Sequence, residues 1–214
     1  MPWLSISKRC RHINLSASLF VFNMRTLFLL LLAQCSILNA QTRIRDVYAE
    51  APDSIFPLLT KNNRLDQIDF RENNMQAVVK NKFDDRCELL VLNGDYLKLQ
   101  LSKNCVVEMR LLSDSTFCMV ETFSAPAPDS RIRLFDTAWN ELSQTIERPA
   151  VEDFLSDDID TDVRLSLQAL PLIKASLSEN DNSITFELQT SELTRDQRKL
   201  AEGKVVQVIR KLEM

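Results

Sequence analysis

The sequence predicts an α+β protein: a helical segment first, a mostly antiparallel β-meander sheet next, and a helix near the C-terminus. Three observations predict it. Between residues 87 and 135, short apolar runs are separated by turn residues alone. That leaves no room for the crossover helices that parallel strands require. The stretch "APDSIFPLLTKNNRLDQIDF" precedes these runs and has helix-start chemistry, while Thr194 with Gln197 three residues later forms a capping box behind them.

The first element is an address label. "MRTLFLLLLAQCSILNAQ", from Met24, has a positive start in Arg25, an almost unbroken apolar run from Leu27 to Ala33 and a small residue, Ala40, suited to precede a cleavage. This is the layout of a secretory signal peptide. It is too short for a membrane-spanning helix, which needs about 20 apolar residues. Cleavage after Ala40 leaves Gln41 first. A variant reading makes Cys35 a lipid-bearing residue, with Gln34 a poor match in the Leu32-Ala33-Gln34-Cys35 string. Residues 1–23 are basic and precede a second methionine, so Met24 is the expected start and residues 1–40 the expected leader. Residues 41–214 then form one α+β domain. Its two weak seams are "SAPAPDS" and "SDDIDTD", and any division into sub-lobes belongs near 145–165.

In the folded part, Asp53 or Ser54 caps a helix expected from about Ile55, with Pro57 tolerated in its first turn. Asn62-Asn63 is expected to end that helix, and Leu65, Ile68 and Phe70 to form a second helical turn. Asn93-Gly94 in "CELLVLNGDYLKLQL" marks a hairpin. A three-residue loop with Gly94 left-handed opposes Leu89 with Leu97, Cys87 with Leu99 and Glu88 with Lys98. Like meets like in that register. Leu90, Leu92 and Tyr96 then share the other face, so both faces of the hairpin call for cover: a helix on one side, and a second sheet, a lipid or a partner on the other. "CVVEMRLL" and "STFCMVETFS" flank the turn "SDS". "SRIRLFDT" follows, with Ile132, Leu134 and Trp139 on one face. Val151 to Leu155 reads as a short helix. "PLIKASLS" and "SITFELQTS" flank "ENDN" as another hairpin. A helix from Arg195 to Glu202 is followed by a break at Gly203 and a β-branched run, "VVQVIRKL".

Removing the leader changes the chemistry. His12 is the chain's only histidine, and it lies in the leader with Trp3. The remainder has no imidazole for Ser-His or Cys-His machinery, zinc ligation or acid–base catalysis. Losing Lys8, Arg9, Arg11 and Arg25 takes the 26 basic residues to 22 against 30 acidic ones, a balance of −8. That does not suit nucleic acid. Arg195, Arg198, Lys199 and Lys204 read as a helix face in solvent. With only Gly94 and Gly203, no phosphate-cradling loop can be built. Cys87, Cys105 and Cys118 cannot all pair within one chain; each lies in an apolar run and reads as core. Asp158, Asp160 and Asp162 alternate like the opening ligands of an EF-hand loop. Val163 stands where that loop needs glycine and Ala169 where it needs a closing glutamate. Trp139 reads as packing, with a sugar- or peptide-binding platform as the minority alternative. No catalytic, cofactor-binding or metal-ligating residue is assigned.

The pieces "APDSIFPLLTKNNRLDQIDF", "DYLKLQLS", "VVEMRLL" with "FCMVETF", and "LIKASLSENDNSITFELQTSEL" span most of residues 46–214. Together they resemble a family of secreted Bacteroidetes proteins that carry a domain of unknown function. The opening helix motif is the specific part of the likeness. The resemblance implies a small exported α+β protein of a Gram-negative bacterium and assigns no activity. Two functional readings follow. One is a non-enzymatic periplasmic or outer-membrane-associated protein with a binding or structural role toward an envelope protein or glycan, without cofactor. The other is a small carboxylate-dependent hydrolase of polysaccharide or peptidoglycan, which needs two acids converging in a cleft with one pKa raised. A carrier of an apolar molecule would instead need a lined cavity. Oligomeric state is left open.

Overall fold

The computed structural model describes residues 42–213. The expected leader, its Met24 start, the Ala40 cleavage point, His12 and Cys35 lie outside the described residues. Six strands form one antiparallel meander: β1 (Val78–Lys80), β2 (Arg86–Leu92), β3 (Tyr96–Ser102), β4 (Cys105–Leu111), β5 (Thr116–Ser124) and β6 (Pro128–Asp136), in that spatial order. A second antiparallel sheet holds β7 (Ile173–Leu177), β8 (Ser183–Leu188) and β9 (Val208–Lys211). Helices α1 (Ile44–Ala49), α2 (Lys61–Glu72), α3 (Thr161–Ala169) and α4 (Arg195–Ala201) complete the architecture, with a 3-10 turn at Val151–Phe154. The α+β expectation therefore holds, including the meander, the "ENDN" hairpin and the C-terminal helix ending before Gly203.

The large sheet is covered on both faces, and strand alternation shows how. On β5, Phe117 and Met119 join one core with Leu89, Leu97, Leu99, Val107 and Met109, under Ile44, Tyr48, Phe56, Leu59 and Ile68 of the helical segment. Cys118 and Val120 point the other way, into a core with Leu134, Ala175, Ile184, Phe186, Val163 and Leu167. A period-two strand with apolar residues at every position must be buried on both sides. The second cover is thus a three-stranded sheet with α3 and α4, rather than lipid or a partner.

The opening motif folds differently from its expectation. Residues 52–59 form successive turns, and the helix begins at Lys61 with Asn62-Asn63 inside its first turn. Thr60 Oγ1 accepts from the Asn63 amide at 3.2 Å, and the Thr60 amide donates to Asn63 Oδ1 at 3.1 Å. Asparagine weakens a helix interior because it competes for backbone groups; in the first turn that same competition satisfies orphan donors. α1 was not anticipated. Its six residues are too few for a periodic signal, and its first amide, Ile44, donates to the Gly94 carbonyl at 3.0 Å.

The β2–β3 register also differs. Leu89 pairs with Leu99, Leu92 with Leu97 and Glu88 with Gln100, with a bulge between Leu89 and Val91. The bulge preserves the like-with-like rule at a different offset, since Leu89, Leu92, Leu97 and Leu99 all reach the helix-covered core. Leu92 therefore does not share a face with Tyr96, which lies in the other core. Asn93 donates to the Tyr96 carbonyl at 2.8 Å, closing the turn, and Gly203 is the one positive-φ glycine among the described residues, so Gly94 is not left-handed. Trp139 also changes sides. Ile132 and Leu134 face the second sheet, whereas the Trp139 indole packs with Phe56, Phe117 and Phe135. Strand β6 ends at Asp136, whose carboxylate accepts from the Ala138 and Asn140 amides, and Trp139 follows at φ +67°. That turn breaks the alternation from which the shared face was inferred.

Candidate functional site

Chemistry-bearing side chains collect in three places. The first lies beneath the opening motif. Arg64 is 1 % exposed. Its Nη1 donates to the Leu59 carbonyl at 3.1 Å and pairs with Asp53 at 3.3 Å, and its Nη2 donates to the Ala51 carbonyl. Gln67, one turn on, accepts from Tyr48 Oη at 2.7 Å and donates to the Cys87 carbonyl at 3.4 Å. Burial pushes the Tyr48 phenol well above its usual pKa and the Cys87 thiol up to about 11. Arg64 and Gln67 tie the 51–59 turns and β2 to α2. The specific part of the family-like motif is therefore a backbone clamp. Sequence reading passed over both residues, and the only available signal was their i, i+3 spacing on one helix face.

The second place is the interface between the sheets. Glu108 is 4 % exposed and faces the second sheet. Its Oε1 pairs with Lys98 Nζ at 2.9 Å and its Oε2 accepts from the Leu177 amide at 2.8 Å. Ser130 Oγ accepts from the Ala175 amide at 2.8 Å and shares a hydrogen bond with Thr122; Asp129 Oδ1 accepts from the Ile173 amide at 3.0 Å. Arg110 holds the Ser178 carbonyl and Asn182 Oδ1. The Gln189 amide donates to Leu172 and the Ser178 amide to Ser183, so even-numbered residues of β7 face β8 and Ile173, Ala175 and Leu177 face away from it. All three outward amides of β7 are thus received by side chains of the large sheet. Burial, then the Glu108 charge, pushes the Cys118 thiol up to about 12. Burial likewise raises Tyr96, with Glu108 next among the causes.

The third place is the surface. A groove of about 790 Å³ runs along α4, lined by Thr190, Arg195, Arg198, Lys199, Glu202 and Val205 among others. A smaller one of about 480 Å³ lies by Phe123, Arg131 and Arg148. The basic residues read as a solvent face therefore border the larger groove, Lys204 excepted, which pairs with Asp158 at 3.1 Å.

The remaining sequence candidates take structural positions. Asp160 caps α3 by accepting from the Asp162 and Val163 amides. Hydrogen bonds from Ser156 and Lys204 hold the Asp158 carboxyl below its usual pKa. Among the described residues, no three His, Cys, Asp or Glu side chains gather as a metal site. Trp139 is 8 % exposed, and its Nε1 donates to the Val47 carbonyl at 2.9 Å, so it offers no open platform. Cys87, Cys105 and Cys118 are buried free thiols. Burial pushes Cys105 up to about 11.

A family profile described as "Protein of unknown function (DUF3256)" matches residues 36–209. The solved structure of a domain of an uncharacterized protein from Porphyromonas gingivalis W83 is similar, with a TM-score of 0.66 and 22 % identity, over 79 % of this chain and 93 % of that one. At that identity the likeness is one of fold. No curated protein matches the chain.

Proposed function

Because the chain belongs to the DUF3256 family of proteins of unknown function, we propose from its physical chemistry that it is an exported, non-enzymatic binding module of the bacterial cell envelope. One observation carries this reading. The most deeply buried charged side chains, Arg64 and Glu108, each hold backbone groups of their own fold, and the one Arg64 donor without a partner, Nε, is itself sealed from solvent and substrate. A catalytic group must instead leave a donor or acceptor free for substrate.

The hydrolase alternative requires an acid with a raised pKa. The carboxyls that depart from their ordinary values, Glu88, Asp136, Glu152, Asp158 and Asp181, are all shifted downward by hydrogen bonds. Each of them is the ionised partner of a surface hydrogen bond. Nor do the described grooves resemble the enclosed apolar cavity of a carrier: they are open, and charged side chains border them.

The test is cross-linking and affinity purification from the native envelope. A specific co-purifying protein is the expected result. Turnover of polysaccharide or peptidoglycan, lost on replacing one carboxylate, would sink the reading in favour of the hydrolase. Export is tested separately by intact mass. A chain beginning at Gln41 is expected, and recovery from the cytoplasm with Met1 in place would refute it.

A further inference from the structure

We propose that the groove along α4 is a docking surface for an acidic, extended segment of a partner protein. The proposal rests on the binding reading above and names the surface and the partner's chemistry.

Arg195, Arg198 and Lys199 stand at i, i+3 and i+4 of α4, so one helix face carries all three, and all three line the groove. Their charges are only weakly matched. The Arg198 guanidinium donates from Nε to the Leu193 carbonyl, a neutral acceptor. Lys199 has Asp196 as its carboxylate at 3.9 Å, and that aspartate is 93 % exposed. Arg195 makes no ion pair among the described residues. Lys61, Arg86, Arg133 and Arg148 show what a closely matched cation looks like, with acids at 2.6–2.7 Å. The three stand together at one groove of a region with eight more acids than bases.

Like charges at these spacings repel one another, which an acidic partner would relieve, while the helix dipole favours Arg198 and Lys199 in the last turn and Asp196 in the first.

The lining selects among anions. Two of the three cations are guanidinium groups, whose planar fork matches a carboxylate. Ala201 and Val205 give the groove an apolar floor for side-chain carbon. No aromatic residue lines it, so a sugar ring has nothing to stack on. A Cβ built on Gly203, at φ +72°, would meet nothing within 4 Å, which leaves the wall there as open backbone. Glu202 bounds the cationic stretch at its C-terminal end and gives the groove a direction.

The experiment measures anisotropy of a fluorescein-labelled oligoglutamate peptide on the full chain. Binding is expected, weakening as salt shortens the Debye length from about 30 to about 8 Å. Arg195→Glu with Arg198→Glu should weaken it at least about tenfold. Lys82→Glu with Lys103→Glu, an equal charge change on exposed turns away from the groove, should leave it within about twofold. Arg195→Gln with Lys199→Gln, which removes charge without reversing it, should give an intermediate loss. Circular dichroism identifies any variant that fails to fold. Absence of binding, equal losses in the groove and control variants, or preferential binding to vesicles of anionic phospholipid would each overturn the proposal. If the charge-reversed protein still captures the same cross-linked envelope partner as wild type, the groove assignment falls while the binding reading stands.

Discussion

Arg64 and Glu108 carry opposite charges on opposite faces of one sheet, and both act on backbone. Arg64 gathers the carbonyls of Ala51 and Leu59, which bracket a run of turns with no regular ladder of its own. Without it, buried carbonyls lose their donor, at roughly 1–3 kcal/mol for each one left unsatisfied. Arg64→Met should therefore lower stability by about 3 kcal/mol, and Arg64→Lys should recover only part, since an ammonium cannot span both carbonyls in the same plane. Urea denaturation measures both. Glu108 allows a finer comparison. Glu108→Gln keeps an oxygen for the Leu177 amide and loses the Lys98 ion pair, at a cost of about 1 kcal/mol. Glu108→Leu also leaves the amide unpaired and should cost about 3 kcal/mol. Equal losses would show that the amide contact contributes nothing. The thiols behave alike. With Cys87 and Cys105 pushed up to about 11 and Cys118 to about 12, the thiolate is scarce at neutral pH. Native protein should resist iodoacetamide at pH 8 and label at all three positions once unfolded.

At the scale of elements, two capping boxes start two helices, and only one was legible in the sequence. Thr194 with Gln197 was read because glutamine is the usual third residue of such a box. Thr60 with Asn63 has the same two hydrogen bonds, yet the neighbouring asparagines signalled a helix end. Thr60→Ala should cost about 1 kcal/mol. Asn63→Ala should cost a similar amount, and the double variant less than the sum, because both changes break one reciprocal unit. Thermal melts of the three variants would show it. The β2–β3 hairpin makes a related point. Matching apolar residues across the strands was the right criterion, but a bulge satisfies it at an offset that pairing rules alone do not enumerate. The strand–turn–strand segments from Cys105 to Asp136 were legible because turn residues bound each strand and every register there is continuous.

For the whole molecule, the architecture follows from β4 and β5 being apolar on both faces, which the sequence shows directly. What covers each face was less visible. The α1 helix is short, and β7 to β9 lie more than thirty-five residues beyond the last strand they cover, β6. The groove along α4 was legible only as a list of basic residues; its shape depends on how the backbone leaves the helix at Gly203. The two cores also share a pH response. Raised folded pKa values mean that the native state holds its protons longer than the unfolded chain. The contribution of the three thiols is therefore complete below about pH 9, where unfolded thiols remain protonated, and is lost as pH rises through about 11 to 12. The buried Tyr48 and Tyr96 act in the same direction. Denaturant midpoints should fall between pH 9 and 11, and the fall should shrink in a Cys118→Ala variant relative to its own value at pH 8.

Ile173, Ala175 and Leu177 illustrate how a small sheet can be kept from polymerising. An open strand edge is a template on which a second chain can grow toward amyloid-like stacks. With their amides held by Asp129, Ser130 and Glu108, one rim of the three-stranded sheet is sealed against such growth. Within this small sheet, growth is left only the β9 rim, where Arg210 and Lys211 place positive charge on the edge.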